Sequence, residues 1–309
     1  FAEAAMGYTS DLSYASFLGR GWSVPHLVSY MESHDEERLM YKTITYGNAT
    51  GDYDTKNQTI ALKRMRLDAL FFLSIPGPKM IWQFGELGYD VSIDYGGRTS
   101  EKPIRWEYLS NVDRHRLFAT YKVLINLRKT QPVFGTDDFS WSLSSTGKRF
   151  QLNSTDMKVN ILGNFGVSSI TIDPAFQQTG KWYEFFTDDS ITVTNVSANF
   201  NFKPGEYRLY STKKLPSPKL LLDINDHVLP VEDDFVTVYP NPSQGEFNIE
   251  IRNLVPAPVT IKIFDISGRS VREIKASFVE GSQPVKWDGK PSTGSAASSG
   301  FYIVQVRSG

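Results

Sequence analysis

Cysteine is absent from the 309 residues, which excludes disulfides and thiolate metal sites. That absence leaves the compartment open, since an exported chain need not carry disulfides. Histidine is nearly as scarce. His26, His115 and His227 lie too far apart in the chain to suggest a metal centre, and the fourth, His34, sits in the one dense polar cluster. No apolar run approaches the roughly 18 residues that a membrane-spanning helix needs. The net charge of −1 gives no reason to expect nucleic acid or an anionic membrane surface as a partner. The start, Phe1-Ala2-Glu3, has neither an initiator Met nor the basic, apolar, small-residue order of a signal peptide.

What the chain has is aromatic residues, 13% of the total, and a texture that changes along its length. A chain of this size is expected to hold two or three domains. Residues 1–134 mix helical periodicity with short apolar runs. Thr59 to Ser74 predicts a helix with Ile60, Met65, Leu67, Leu70, Phe71 and Leu73 on its apolar face, stopped by Pro76-Gly77-Pro78. A second helix is expected from Val112 to Lys129, capped by Ser110 or Asn111, with Leu117, Tyr121, Leu124 and Leu127 on one face. Residues 135–212 read as short alternating strands between turns, the pattern of a small antiparallel β-sandwich. Trp182, Tyr183, Phe185 and Phe186 are assigned there to the sandwich core. Residues 213–234, with Lys213, Lys214, three prolines and Glu232-Asp233-Asp234, read as a linker. Residues 235–309 return to strands of period two, with a Gly/Ser/Ala-rich loop at 293–300 before the last one.

The densest chemistry is at Leu27-Val28-Ser29-Tyr30-Met31-Glu32-Ser33-His34-Asp35-Glu36-Glu37-Arg38. An apolar run of the kind that forms a buried parallel strand ends in a cluster of charge. One reading is the first turn of a helix, with Ser33 as cap and Glu36 and Glu37 facing the dipole. The other is a strand end carrying catalytic residues. Tyr30-Met31-Glu32-Ser33-His34-Asp35 resembles the seventh-strand motif of the α-amylase family, glycoside hydrolase family 13. Ile75-Pro76-Gly77-Pro78-Lys79-Met80-Ile81-Trp82-Gln83-Phe84-Gly85-Glu86-Leu87-Gly88-Tyr89-Asp90 is similar to that family's eighth strand and following loop. Gly97 to Trp106 resembles the long eighth loop, Leu124 to Lys129 lies in a helix similar to the eighth barrel helix, and Lys181 to Thr187 resembles a strand of the family's domain C.

The resemblance implies a multi-domain α/β plus all-β architecture. Residues 1–134 would be the C-terminal portion of a (β/α)8 TIM barrel, and 135–212 an antiparallel β-sandwich, domain C. It also implies a retaining α-glucan hydrolase acting on α-1,4-glucosidic bonds, with a glucan-branching or debranching enzyme, or a non-catalytic carbohydrate-binding surface protein, as alternatives. Asp35 matches the family's transition-state-stabilising carboxylate, and His34 the residue that hydrogen-bonds the sugar at the cleavage point. Arg38, Trp82, Phe84 and Glu86 are candidate groove residues, barrel core being an equally good place for Trp82 and Phe84. Glu32, Glu36 and Glu37 crowd Asp35, and at least one is expected to pair with Arg38. No segment matches the nucleophile or acid/base motifs of the fourth and fifth strands, so an N-terminal portion is expected to be missing and the fragment to be inactive alone. No cofactor is expected within it. Calcium is possible only in a full-length parent, because no Asp-x-Asp-x-Asp-Gly loop is present. A third reading ignores the barrel, treats the whole chain as β-sandwich modules, and predicts little helix before residue 134.

A second resemblance sits at the other end. Val238-Tyr239-Pro240-Asn241-Pro242-Ser243-Gln244-Gly245, then Phe264-Asp265-Ile266-Ser267-Gly268-Arg269, then Gly300 to Val306, are similar to the C-terminal sorting domain of the type IX secretion system. That family implies an immunoglobulin-like β-sandwich at 235–309, an outer-membrane translocon as partner beside the α-glucan substrate, and a secreted or cell-surface location. It usually continues a few residues past the final strand, so the stop at Ser308-Gly309 implies a clipped end.

Overall fold

Asn57 opens the central helix of the first unit by accepting the amide of Ile60 on its side chain, satisfying one of the orphan donors of a helix start. The computed structural model describes residues 1–218, 235–243, 245–252, 257–278, 284–292 and 297–308. They divide into two compact units, Phe1–Ile224 and Asn225–Gly309. The linker expected at 213–234 lies outside the described residues from 219 on, as do His227 and residues 293–296 of the Gly/Ser/Ala-rich loop.

The first unit begins with four helices, α1 (Ala2–Met6), α2 (Leu39–Tyr46), α3 (Gln58–Ser74) and α4 (Val112–Thr130), and a small ribbon of β1 (Ala49–Thr50) and β2 (Tyr53–Asp54). So much helix removes the reading of the chain as β-sandwich modules alone. Helices α3 and α4 pack on each other. Asn111 caps α4 by accepting from the amides of Asp113 and Arg114, and Leu117, Tyr121, Leu124 and Leu127 are all buried. Helix α3 is not amphipathic: from Ala61 to Ser74 nearly every residue is buried, polar Arg64 and Asp68 included. It runs between α4 and the sheet that follows.

That sheet holds β3 (Phe139–Ser142), β4 (Gly147–Asn153), β5 (Lys158–Asn164), β7 (Gly180–Glu184), β8 (Ser190–Val193) and β10 (Tyr207–Ser211), antiparallel in the order β3-β4-β5-β10-β7-β8. A two-stranded sheet of β6 (Ile170–Ile172) and β9 (Phe200–Phe202) completes this β region, with Leu162, Phe176, Trp182, Phe202 and Tyr210 in a shared apolar cluster. Trp182 and Phe185 are core, as expected, while Tyr183 and Phe186 are only partly buried. A larger core joins helix to sheet, and Phe71 of α3 meets Phe165 edge-on with ring centroids 5.0 Å apart.

Two buried charges sit in that seam. Every N–H of Arg64 is used: Nε donates to Ala5 O (2.6 Å), Nη2 to Ala4 O and Phe165 O (both 2.6 Å), Nη1 to Gly166 O and Tyr53 Oη (both 3.3 Å). Asp68, one turn on, is fully buried and its carboxylate oxygens have no hydrogen-bond donor among the described residues. Burial pushes its carboxyl up to about 7, against the pull of the Phe1 amino group, Arg64 and Lys148. The raised value sets the sign. The folded state holds the proton that the unfolded chain releases near 3.8, so this group costs nothing below about pH 4. The cost grows as pH rises towards 7 and is then complete, on the order of 4 kcal/mol. Asp68→Asn is therefore expected to flatten the fall in stability between pH 4 and 7, as read by urea unfolding across that range. An unchanged slope would exclude Asp68 as its source.

The second unit is two three-stranded antiparallel sheets. One has the order β11 (Phe235–Tyr239), β12 (Phe247–Arg252), β15 (Val285–Trp287), and the other β14 (Ser270–Phe278), β13 (Ala257–Asp265), β16 (Tyr302–Ser308). Ile249, Val259, Ile261, Ile263 and Trp287 form its core. Asp265 closes the β13–β14 turn by accepting from the amides of Ser267 and Arg269.

Candidate functional site

The apolar runs expected to be parallel strands meet in one parallel bridge, Ser29 with Lys79. Ser29 N–H donates to Pro78 O (3.1 Å) and Met80 N–H to Ser29 O (3.0 Å). No longer ladder forms among the described residues, and Val28, Tyr30 and Ile81 are exposed. A parallel strand is stable when paired and covered on both faces; among the described residues each run pairs only with the other.

Beyond the bridge the chain turns around a buried ion pair. Glu32 Oε1 accepts from Arg38 Nη2 at 2.7 Å, both side chains being almost wholly buried. Glu32 Oε2 accepts the amide of Leu39, the first residue of α2, at 2.8 Å. The helix thus starts after the cluster, with Arg38 at its N-cap and Glu32 serving its first amide. This replaces the expectation of Ser33 as cap with Glu36 and Glu37 facing the dipole. Ser33 Oγ instead accepts the Asp35 amide at 3.1 Å and donates to Glu36. Gly85 has to be small here, since a Cβ would stand 2.7 Å from Glu32 Oε1. Arg38 also donates to Gln83 O and lies over the Tyr89 ring, 4.5 Å from its centroid.

With that pillar inside, residues 34 and 35 are turned outward. The Asp35 side chain is 75% exposed and that of His34 68%, with His34 Nε2 3.3 Å from Asp35 Oδ2. The His34 ring lies 5.6 Å from that of Trp82. They line a cleft of about 470 Å³ with Arg38, Gln83, Tyr89, Ile93 and residues 98–102. Of the sequence candidates, the structure brings His34, Asp35, Arg38 and Trp82 together. Phe84 and Glu86 line an adjoining, mainly apolar cleft of about 680 Å³, with Trp82 and Gln83 on the border of both. Phe84 is nearly buried, stacked near Tyr89 and edge-on to Trp106. Burial raises the Glu86 carboxyl, its own backbone hydrogen bond and then Arg38 opposing.

Chemically, an exposed carboxylate beside an imidazole and an indole can accept hydroxyl hydrogen bonds, face a developing cation and stack on a sugar ring. Among the described residues no three His, Asp or Glu side chains are grouped to hold a metal ion. No helix of the described residues is long and apolar enough to cross a membrane. Sequence reasoning missed Arg98, whose Nη2 donates to the backbone oxygen of Asp35, and Glu37, which reaches Ser92 and Ile93. A signal for Arg98 existed in the expected loop over the groove. Nothing in the spacing distinguished Glu37 from Glu36.

Residues 237–309 match the secretion system C-terminal sorting domain, which marks the chain for type IX export to the cell surface or exterior. Solved structures similar to the chain include a variant of AmyP in complex with maltotriose, 12% identical, covering 70% of this chain and 49% of that one, TM-score 0.51. An Anoxybacillus α-amylase is 14% identical, covering 69% and 46%, TM-score 0.49. The Geobacillus thermoleovorans α-amylase complexed with acarbose is 14% identical, covering 62% and 40%, TM-score 0.43. The chain spans less than half the length of each. The first of these likenesses shows a shared fold. No curated protein matches the chain.

Proposed function

We propose that this chain is the C-terminal part of an exported, retaining α-glucan hydrolase of the α-amylase type. Residues 1–134 would close a (β/α)8 barrel with its seventh and eighth strands, 135–212 form domain C, 213–234 the linker and 235–309 an immunoglobulin-like sorting domain. The observation that carries the reading is the His34–Asp35 pair, held outward by the buried Glu32–Arg38 pillar, in a cleft walled by Trp82, just past the Ser29–Lys79 parallel bridge. Active sites of α/β barrels sit where their parallel strands end.

In a retaining mechanism one carboxylate attacks the anomeric carbon while a second protonates the leaving oxygen and later activates water. On this reading neither is among residues 1–309. Asp35 neither attacks nor transfers a proton. Its fixed charge supports the oxocarbenium character of the transition state, and His34 holds a hydroxyl of the same sugar. Trp82 offers a face for a neighbouring ring. Arg38, almost wholly buried, acts from beneath by fixing the loop. Residues 1–309 alone are expected to be inactive. The variant that tests the reading is Asp35→Asn in the whole gene product, assayed on soluble starch.

A further inference from the structure

Glu37 is the fourth acid of the cluster, after Glu32, Asp35 and Glu36; it is half-buried and does not line the cleft that holds Asp35. Its Oε1 accepts from Ile93 N at 2.8 Å and from its neighbour Arg38 N at 2.9 Å, and its Oε2 accepts from Ser92 Oγ at 2.7 Å. One carboxylate thus joins the loop that carries Asp35 to residues 55 and 56 positions further along. Those residues begin a strap, 91–103, whose later part, residues 98–102, lines the same cleft as Trp82. Its far end is tied by Tyr89 Oη donating to Pro103 O at 2.6 Å. Its middle is gathered by Lys102 Nζ, which donates to Tyr95 O, Gly97 O and Ser100 O at 3.1, 2.8 and 3.0 Å. From that compact knot Arg98 reaches the backbone oxygen of Asp35.

The knot is bonded within itself but exposed. Arg98 and its i−4 partner Asp94 are each more than half exposed and 3.8 Å apart, so that pair holds little. Glu37 is different. It is shielded, accepts charge-assisted bonds from two residues of the strap, and seats Ile93, which is nearly buried against the cleft. We propose that Glu37 is a positioning residue that fixes the 91–103 strap as one wall of the Asp35 cleft, and so sets how tightly a sugar is held there. The second half of this statement rests on the glucan reading, and the first half does not.

Two readouts on Glu37→Ala separate them. Trypsin cleavage after Arg98, in the chain as it stands, reports on the strap, the Lys102–Pro103 bond being resistant to trypsin. It is expected to speed up roughly tenfold or more, from the strength of bonds to an ionised acceptor, with the melting temperature nearly unchanged. In the whole gene product KM for soluble starch is expected to rise by about the same factor while kcat stays within about twofold, the pattern of lost binding common to ground and transition states. Glu37→Gln should restore much of both, since the amide oxygen can take the Ile93 N–H and the amide nitrogen can donate to Ser92 Oγ. Should Glu37→Ala fold poorly, Ser92→Ala removes one of the two bonds from Glu37 to the strap, together with the bond from the Asp94 amide to Ser92 Oγ, keeps the Ile93 bond, and is expected to give a smaller increase in cleavage. Unchanged cleavage in both alanine variants overturns the latch, and so does failure of Gln to rescue. Faster cleavage with KM unmoved overturns its role in holding sugar. Faster cleavage with no starch hydrolysis by the wild-type gene product leaves the latch standing and removes the glucan reading instead.

Discussion

Asp35→Asn in the whole gene product is expected to lower kcat on soluble starch by about 10²–10³-fold, with the melting temperature unmoved. Asparagine keeps the shape and one acceptor oxygen and loses the charge. A preorganised charge facing a transition state is worth roughly 3–4 kcal/mol by analogy with oxyanion-hole deletions, which gives that range. The side chain carries no structural load to confuse the outcome. It is three-quarters exposed, has His34 as its one ionic partner among the described residues, and the loop bonds around it use its backbone: its amide to Ser33 Oγ and its oxygen from Arg98. Surface substitutions of that kind change stability by less than about 0.5 kcal/mol. Unaltered starch hydrolysis by a folded variant would remove Asp35 from the chemistry.

Arg64→Met is expected to destabilise the first unit by about 3–5 kcal/mol, which for a body of this size lowers the melting temperature by roughly 10 °C. The methylenes of Met fill much of the same channel, so packing is not the main loss. What goes is the guanidinium. Ala4 O, Ala5 O, Phe165 O and Gly166 O each lose their donor inside the seam between α1, α3 and the loop after β5. Leaving a buried carbonyl unpaired costs about 1–3 kcal/mol. Asp68 also loses a nearby cation, which deepens its own penalty at neutral pH. Arg64→Lys should recover only part of the loss, because three donors on a point charge cannot serve the spread of acceptors that the planar fork serves. A shift of under about 3 °C for the Met variant would show that these carbonyls find other partners.

The elements whose signals are local were legible. Helices α3 and α4 begin and end within one residue of their expected bounds, because Asn111, Pro76 and the apolar periodicity act on their own neighbours. Strands formed at the expected runs, Arg149 to Leu152 in β4 and Val159 to Asn164 in β5, but burial along them does not alternate: every residue from Val159 to Asn164 is buried. Their order was not legible, since placing β10 between β5 and β7 is decided by packing across some 50 residues. Arg64 gave no hint of its role. Between Lys63 and Met65-Arg66 it reads as one more exposed charge, and its backbone partners lie 59 to 102 residues away. At the site, the motif singled out Asp35 and His34, and the crowding of acids announced a partner for Arg38. Which acid took it was settled by depth: Glu32 points inward with the strand-like run, Glu37 turns across to the strap, and Glu36 stays at the surface beside Ser33.

Stereochemistry gives the most direct test of the proposed function. Proton NMR of maltotriose hydrolysis by the whole gene product reads the anomeric configuration of the first sugar released. A retaining α-glucan hydrolase releases the α-anomer, which then mutarotates. Initial release of the β-anomer, or no release at all, would contradict it.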